Sequence, residues 1–140
     1  MVIAIFGEGC TGKSTTAQAV KDATGAAIYA GRDYLRLAKN EDAARQQFCR
    51  LLADAAEPII YVISEKEHLA LLPAHCLRVL VTADLDTIQA RFSQRTGGAL
   101  TPPLAQMLAR KHGMFDHEAH DLHLHSGSQS VEEARDAIRS

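Results

Sequence analysis

Eight residues near the start constrain this chain more than any others. Gly7-Glu8-Gly9-Cys10-Thr11-Gly12-Lys13-Ser14 fits the pattern G-x-x-x-x-G-K-[ST]. The six residues before it, Met1-Val2-Ile3-Ala4-Ile5-Phe6, are apolar and partly β-branched, as a buried strand requires. Residues 15–24 after it suit a helix, with Ala17, Ala19 and Val20 for packing and Gly25 as a stop. A chain with this order places a glycine-rich turn between a buried strand and a helix N-terminus.

Each fixed position has a physical task. Gly7, Gly9 and Gly12 allow sharp backbone turns, so that successive N–H groups point inward as an anion nest. The helix opening at about Lys13 adds its free N–H groups and the positive end of its dipole. Lys13 supplies a mobile charge for the β- and γ-phosphates, and the Ser14 hydroxyl is placed to ligand Mg²⁺. The expected ATP-binding set is therefore Gly7, Glu8, Gly9, Cys10, Thr11, Gly12, Lys13, Ser14 and Thr15.

The remaining chain alternates strands and helices. Ala26-Ala27-Ile28-Tyr29-Ala30 reads as a second strand. Asn40 caps a helix over residues 41–56, with Ala44, Phe48, Leu51, Leu52 and Ala55 on one face. Ile59-Ile60-Tyr61-Val62-Ile63 is a third strand, followed by a short helix over 66–72 that stops at Pro73. Leu77-Arg78-Val79-Leu80-Val81 is a fourth. Asp84 is placed to cap a helix carrying Arg91 and Arg95, and Thr101 with Pro102 opens another. A last strand at 121–125 and a capping box at Ser130-Val131-Glu132-Glu133 complete the reading. This predicts a three-layer α/β/α fold with a five-stranded parallel sheet, as a single domain over residues 1–140.

Composition narrows the function. The formal charge of −2 and pI near 6.4 give no basic footprint for nucleic acid. No apolar run reaches the ~18 residues of a spanning helix, so no membrane partner is expected. Cys10, Cys49 and Cys76 are odd in number, without metal-like spacing. With no basic region before the first apolar run, they point to reduced thiols and a cytoplasmic location. Cys10 reads as a tolerated small residue within the loop.

Four stretches resemble the P-loop nucleoside monophosphate kinases, nearest the cytidylate and adenylate kinase group. They are residues 2–20; Ala30-Gly31-Arg32-Asp33-Tyr34-Leu35-Arg36; Leu80-Val81-Thr82-Ala83-Asp84 with Arg91-x-x-x-Arg95; and residues 112–124 with 130–138. The first is highly specific and the others are loose. The resemblance implies the P-loop NTPase architecture, with Lys13 and Ser14 on MgATP and Arg36 on the acceptor's phosphate. It further implies that Arg91 and Arg95 close on the transferring group. It places acceptor-binding helices at about 32–57 and a short lid at about 96–103. Arginine forks four residues apart on one helix face suit phosphate oxygens.

Two acidic residues stay open at this stage. Asp33 can orient Mg²⁺-bound water, act as base toward a hydroxyl acceptor, or cap the helix after it. Glu65 can partner Mg²⁺ or be an exposed first-turn glutamate. The chain departs from the family in an extra Arg32 and in Ser64-Glu65-Lys66-Glu67 after the third strand. The expected activity is transfer of the γ-phosphate of MgATP to a small-molecule acceptor, a CMP- or AMP-like nucleotide. The alternatives are a shikimate- or gluconate-type kinase and a nucleotide-binding module without transfer activity. The guanine-reading N/T-K-x-D motif of GTPases is absent. Five of the seven histidines fall between His112 and His125, where an alternating half-exposed strand near the nucleotide explains them better than a metal site. Oligomeric state is not legible.

Overall fold

The computed structural model describes residues 2–98 and 100–125 of the chain. The helix expected after Ser130 and part of the expected lid lie outside these residues. Five parallel strands form one sheet in the order β2-β3-β1-β4-β5. They are β1 (Val2–Phe6), β2 (Ala27–Ala30), β3 (Ile59–Ile63), β4 (Leu77–Thr82) and β5 (Leu122–His125). β1 is central, pairing Val2 with Ile59 on one side and Ile3 with Leu77 on the other.

β1 and β3 are buried along their whole length, which explains their unbroken apolar sequences: both faces of a covered parallel sheet need apolar side chains. Ile3, Ile5, Val79, Val81 and Leu124 meet Ala17 and Val20 of α1 (Lys13–Thr24) on one face. Phe6, Tyr61, Ile63 and Leu80 meet Phe48 and Leu52 of α2 (Glu41–Ala53) on the other. Phe48 is fully buried among Tyr29, Tyr34 and Tyr61, with ring centroids 5.3, 5.7 and 4.8 Å away. The Asn40 carboxamide caps α2 by accepting from the Ala43 N–H, as its sequence position implies.

α2 stops at Ala53, short of the expected 56. Pro58 restricts the residue before it, and the chain needs the intervening positions to turn into β3. The segment expected as a helix at 66–72 is a 3₁₀ helix, Lys66–Leu71. Another 3₁₀ helix, Asp33–Leu37, follows β2. α3 (Leu85–Arg95) and α4 (Pro102–Lys111) follow β4, and neither Asp84 nor Thr101 caps its helix through the side chain. Cys10, Ala83, Ile88 and Leu108 form a smaller core that ties the glycine-rich loop to α3 and α4. No helix among the described residues is long and apolar enough to cross a membrane.

Candidate active site

The loop leaves the C-terminal end of β1, the edge at which parallel α/β sheets bind ligands. Gly7 shows why glycine is required there. A Cβ on it would lie 2.1 Å from the Val81 carbonyl oxygen on β4. Gly12, at φ 99°, caps α1 in the left-handed region. Cys10 also has a positive φ, 64°, and is buried rather than exposed. Its thiol packs into the small core, so the loop carries modest strain at a non-glycine residue.

Lys13 is only 5% exposed and folds back so that Nζ donates to the Glu8 carbonyl. The Thr11 hydroxyl donates to the same oxygen at 2.8 Å. Burial pushes the Lys13 pKa down from 10.5 to about 8; Arg95 pushes the same way, while Cys10 and Glu8 oppose. Ser14 and Thr15, by contrast, are exposed at the start of α1. A cavity of about 310 Å³ opens over this loop, lined by Lys13, Ser14, Gly31 at the end of β2, Ser64 after β3, and Arg95. Four separate chain segments therefore supply one polar hollow.

The sequence-predicted residues do not all reach it. Arg91 donates from Nη1 to the Cys10 carbonyl at 3.1 Å, bracing the loop, while Arg95, one turn on, is exposed and lines the cavity. The Asp33 carboxylate does not cap the 3₁₀ helix. It accepts from the Ala30 N–H at 2.9 Å, and its Oδ2 lies 3.6 Å from Arg36 Nη2. Asp33 thus turns back onto β2, and Arg36 points into solvent beside it with 76% of its side chain exposed. Glu65 is exposed next to Ser64, and its carboxylate, that of Glu67 and the His68 imidazole have donor atoms within 4.8 Å of one another. Ser14, Ser64 and Glu65 are hard oxygen donors of the kind Mg²⁺ takes, whereas the buried imidazole of His68 is not.

Sequence reasoning missed the task of the Glu8 side chain. Glu8 is 7% exposed, and its carboxylate accepts from the Gly113 N–H at 2.7 Å and lies 3.1 Å from His112 Nδ1. It joins the loop to the end of α4 across more than a hundred residues of sequence. The only signal for it was an acidic residue in a loop expected to bind anions.

The histidines of β5 also have protein partners. His123 Nε2 and His125 Nδ1 both lie 2.8 Å from the Thr82 hydroxyl, and His125 Nε2 lies 3.3 Å from the Asp84 carboxylate. Asp84 is therefore engaged with β5 rather than with the start of α3. Leu122 and Leu124 face the α1 side, as the alternation predicted.

No protein-family model and no curated protein matches the chain. Its structure is similar to solved structures at full length. An uncharacterized protein from Eubacterium ventriosum superposes with a TM-score of 0.73 at 22% identity, covering 99% of this chain and 96% of that one. A gluconokinase from Sinorhizobium meliloti gives 0.63 at 18%, covering 99% and 89%. A shikimate kinase from Acinetobacter baumannii in complex with shikimate gives 0.64 at 14%, covering 99% and 88%. The chain has the fold of the P-loop kinases. That is broader than the cytidylate and adenylate kinase group, which the comparisons do not single out.

Proposed function

We propose that the chain is an ATP-dependent phosphotransferase acting on a small molecule. The observation that carries this reading is the polar cavity in which Lys13, Ser14, Ser64 and Arg95 converge over the glycine-rich loop. Phosphoryl transfer asks for positioned positive charge around the γ-phosphate more than for covalent chemistry, and this set supplies it. The loop N–H groups and Lys13 would hold the phosphates, and Ser14 with Glu65 would hold Mg²⁺, which would supply positive charge at the phosphate oxygens. Arg95 covers the transferring group. Arg91 keeps the loop in shape beneath it.

For the acceptor, a hydroxyl-bearing metabolite fits better than a nucleoside monophosphate. Arg36, which would bind the acceptor's phosphate, is exposed and beside Asp33. Asp33, just past β2 and held by the Ala30 N–H, would take the hydroxyl proton after turning toward the cavity. The gluconokinase and shikimate kinase that share the fold act, by their names, on hydroxylated acids. The lid reading keeps residues 96–103 as the segment that closes over ATP.

The test is Mg²⁺-dependent ADP formation with CMP, AMP, shikimate, gluconate and nucleosides as acceptors, beside Lys13→Ala. Stimulation by one acceptor, abolished in Lys13→Ala, upholds the reading. ATP binding with no stimulation by any acceptor would favour a nucleotide-binding module instead. Loss of turnover in Asp33→Asn with ATP affinity retained would separate a hydroxyl acceptor from a phosphate acceptor, which needs no base.

A further inference from the structure

A second cavity, of about 300 Å³, adjoins the first. The two share Gly9, Cys10, Ser64 and Arg95 as a common wall. Their chemistry differs sharply. The first is walled by backbone, hydroxyls and cations. The second is walled by Ile88 and Phe92 of α3, Met107 and Leu108 of α4, and Met114 just beyond. Ile88 and Leu108 are buried, while Phe92, Met107 and Met114 are half-buried with surface left over for a ligand. Polar side chains stand at the margin: Lys111 at the end of α4, Glu65 opposite, and Arg95 on the shared wall. The Glu8 carboxylate there is already engaged with Gly113 and His112.

We infer that this second cavity takes the acceptor, and that the acceptor is a hydroxy acid whose body is apolar, aromatic or alicyclic, rather than a polyol or a sugar acid. The inference rests on the kinase reading above and names the substrate class of that same site. A polyol placed here would lose water from hydroxyls that face methionine, isoleucine and phenylalanine side chains, none of which returns a hydrogen bond. An apolar ring loses nothing polar and gains contact with two adaptable methionines. The volume suits a small ligand. Lys111 supplies the charge for the acceptor's carboxylate at the mouth, and the acceptor's hydroxyl reaches the shared wall. There its oxygen bonds to the γ-phosphorus as the bond from that phosphorus to the β–γ bridging oxygen breaks. The hydroxyl proton passes to Asp33 once that carboxylate, which lines neither cavity in the ligand-free protein, turns from the Ala30 N–H toward the acceptor, and ADP and a phosphate monoester leave.

The experiment is methyl-labelled methionine NMR on the whole chain, which has three methionines. Two of them, Met107 and Met114, line the cavity. The probes are meta-hydroxymethylbenzoate, hydroxymethylcyclohexanecarboxylate and gluconate, each with a carboxylate and a primary hydroxyl. The expected result is saturable shifts of the Met107 and Met114 methyls with the two apolar probes, at least tenfold tighter than with gluconate. Met107→Gln should weaken the apolar probes by about tenfold, the scale of discrimination available to an apolar pocket. Equal or tighter binding of gluconate overturns the inference and leaves the kinase reading standing. Shifts of both methionines by a non-hydrolysable ATP analogue alone also overturn it, because the cavity then holds the base. Binding of the apolar probes without ADP formation in the acceptor assay would count against the kinase reading instead, so the two failures are separable.

Discussion

Lys13 carries a charge that the folded protein holds at a cost. With its pKa near 8 instead of 10.5, the protonated form is penalised by about 3 kcal/mol relative to an exposed lysine. The unfolded chain therefore binds the proton more tightly, and this group's contribution to stability rises with pH between about 8 and 10.5. Lys13→Met should stabilise the ligand-free protein at pH 7 by on the order of 2 kcal/mol while abolishing ATP binding. The Glu8 carbonyl keeps its Thr11 partner in that variant. Chemical denaturation with and without an ATP analogue checks both halves, and a less stable ligand-free variant would refute the argument. Gly7→Ala tests the opposite kind of residue. Its added methyl meets the Val81 carbonyl, so a loss of about 3 kcal/mol is expected, visible as a lowered melting temperature. Both residues were legible in the sequence because the motif fixes their spacing. The tasks of Glu8, Asp33 and Asp84 were not. Glu8 and Asp84 depend on partners brought close by the backbone path of another segment, which no local pattern encodes, while Asp33 turns to neighbours three residues away on either side.

At the scale of elements, strands and helix ends read well wherever one residue decides the matter. Asn40 and Gly25 set their helix ends through a side-chain oxygen and a left-handed φ. Boundaries set by tertiary routing, such as the end of α2 and the 3₁₀ geometry at 66–71, did not read. The stretch joining α3 to α4 contains Gly97 and Gly98, with φ of 71° and 89°. Two consecutive left-handed glycines make a natural pivot for the lid reading. Limited proteolysis should cut within residues 96–103 in the free protein, and an ATP analogue with Mg²⁺ should slow that cleavage several-fold. Unchanged cleavage would remove the lid. Because Glu8 grips the end of α4, closing of this stretch would be felt directly by the loop proposed to hold the phosphates.

Across the whole molecule, the strand–helix alternation was sufficient to predict a five-stranded parallel sheet, and the same sheet appears in kinases below a quarter sequence identity. What the alternation left open was the strand order. β1 lies in the middle, hydrogen-bonded to β3 and β4. Chains in which early residues pair with much later ones fold slowly, because long loops must close before any contact repays them. A ribosome delivers β1 long before either neighbour. During synthesis its apolar residues have no sheet to join until residue 63, and only one flank is covered until residue 80. A nascent chain stalled with residues up to about 75 outside the exit tunnel should therefore be protease-sensitive and bound by chaperones, whereas one stalled with all 140 residues outside it should resist both. The strand that leads into the glycine-rich loop is thus the first made and among the last secured, so that the loop reaches its folded shape only after the chain has been read through its fourth strand.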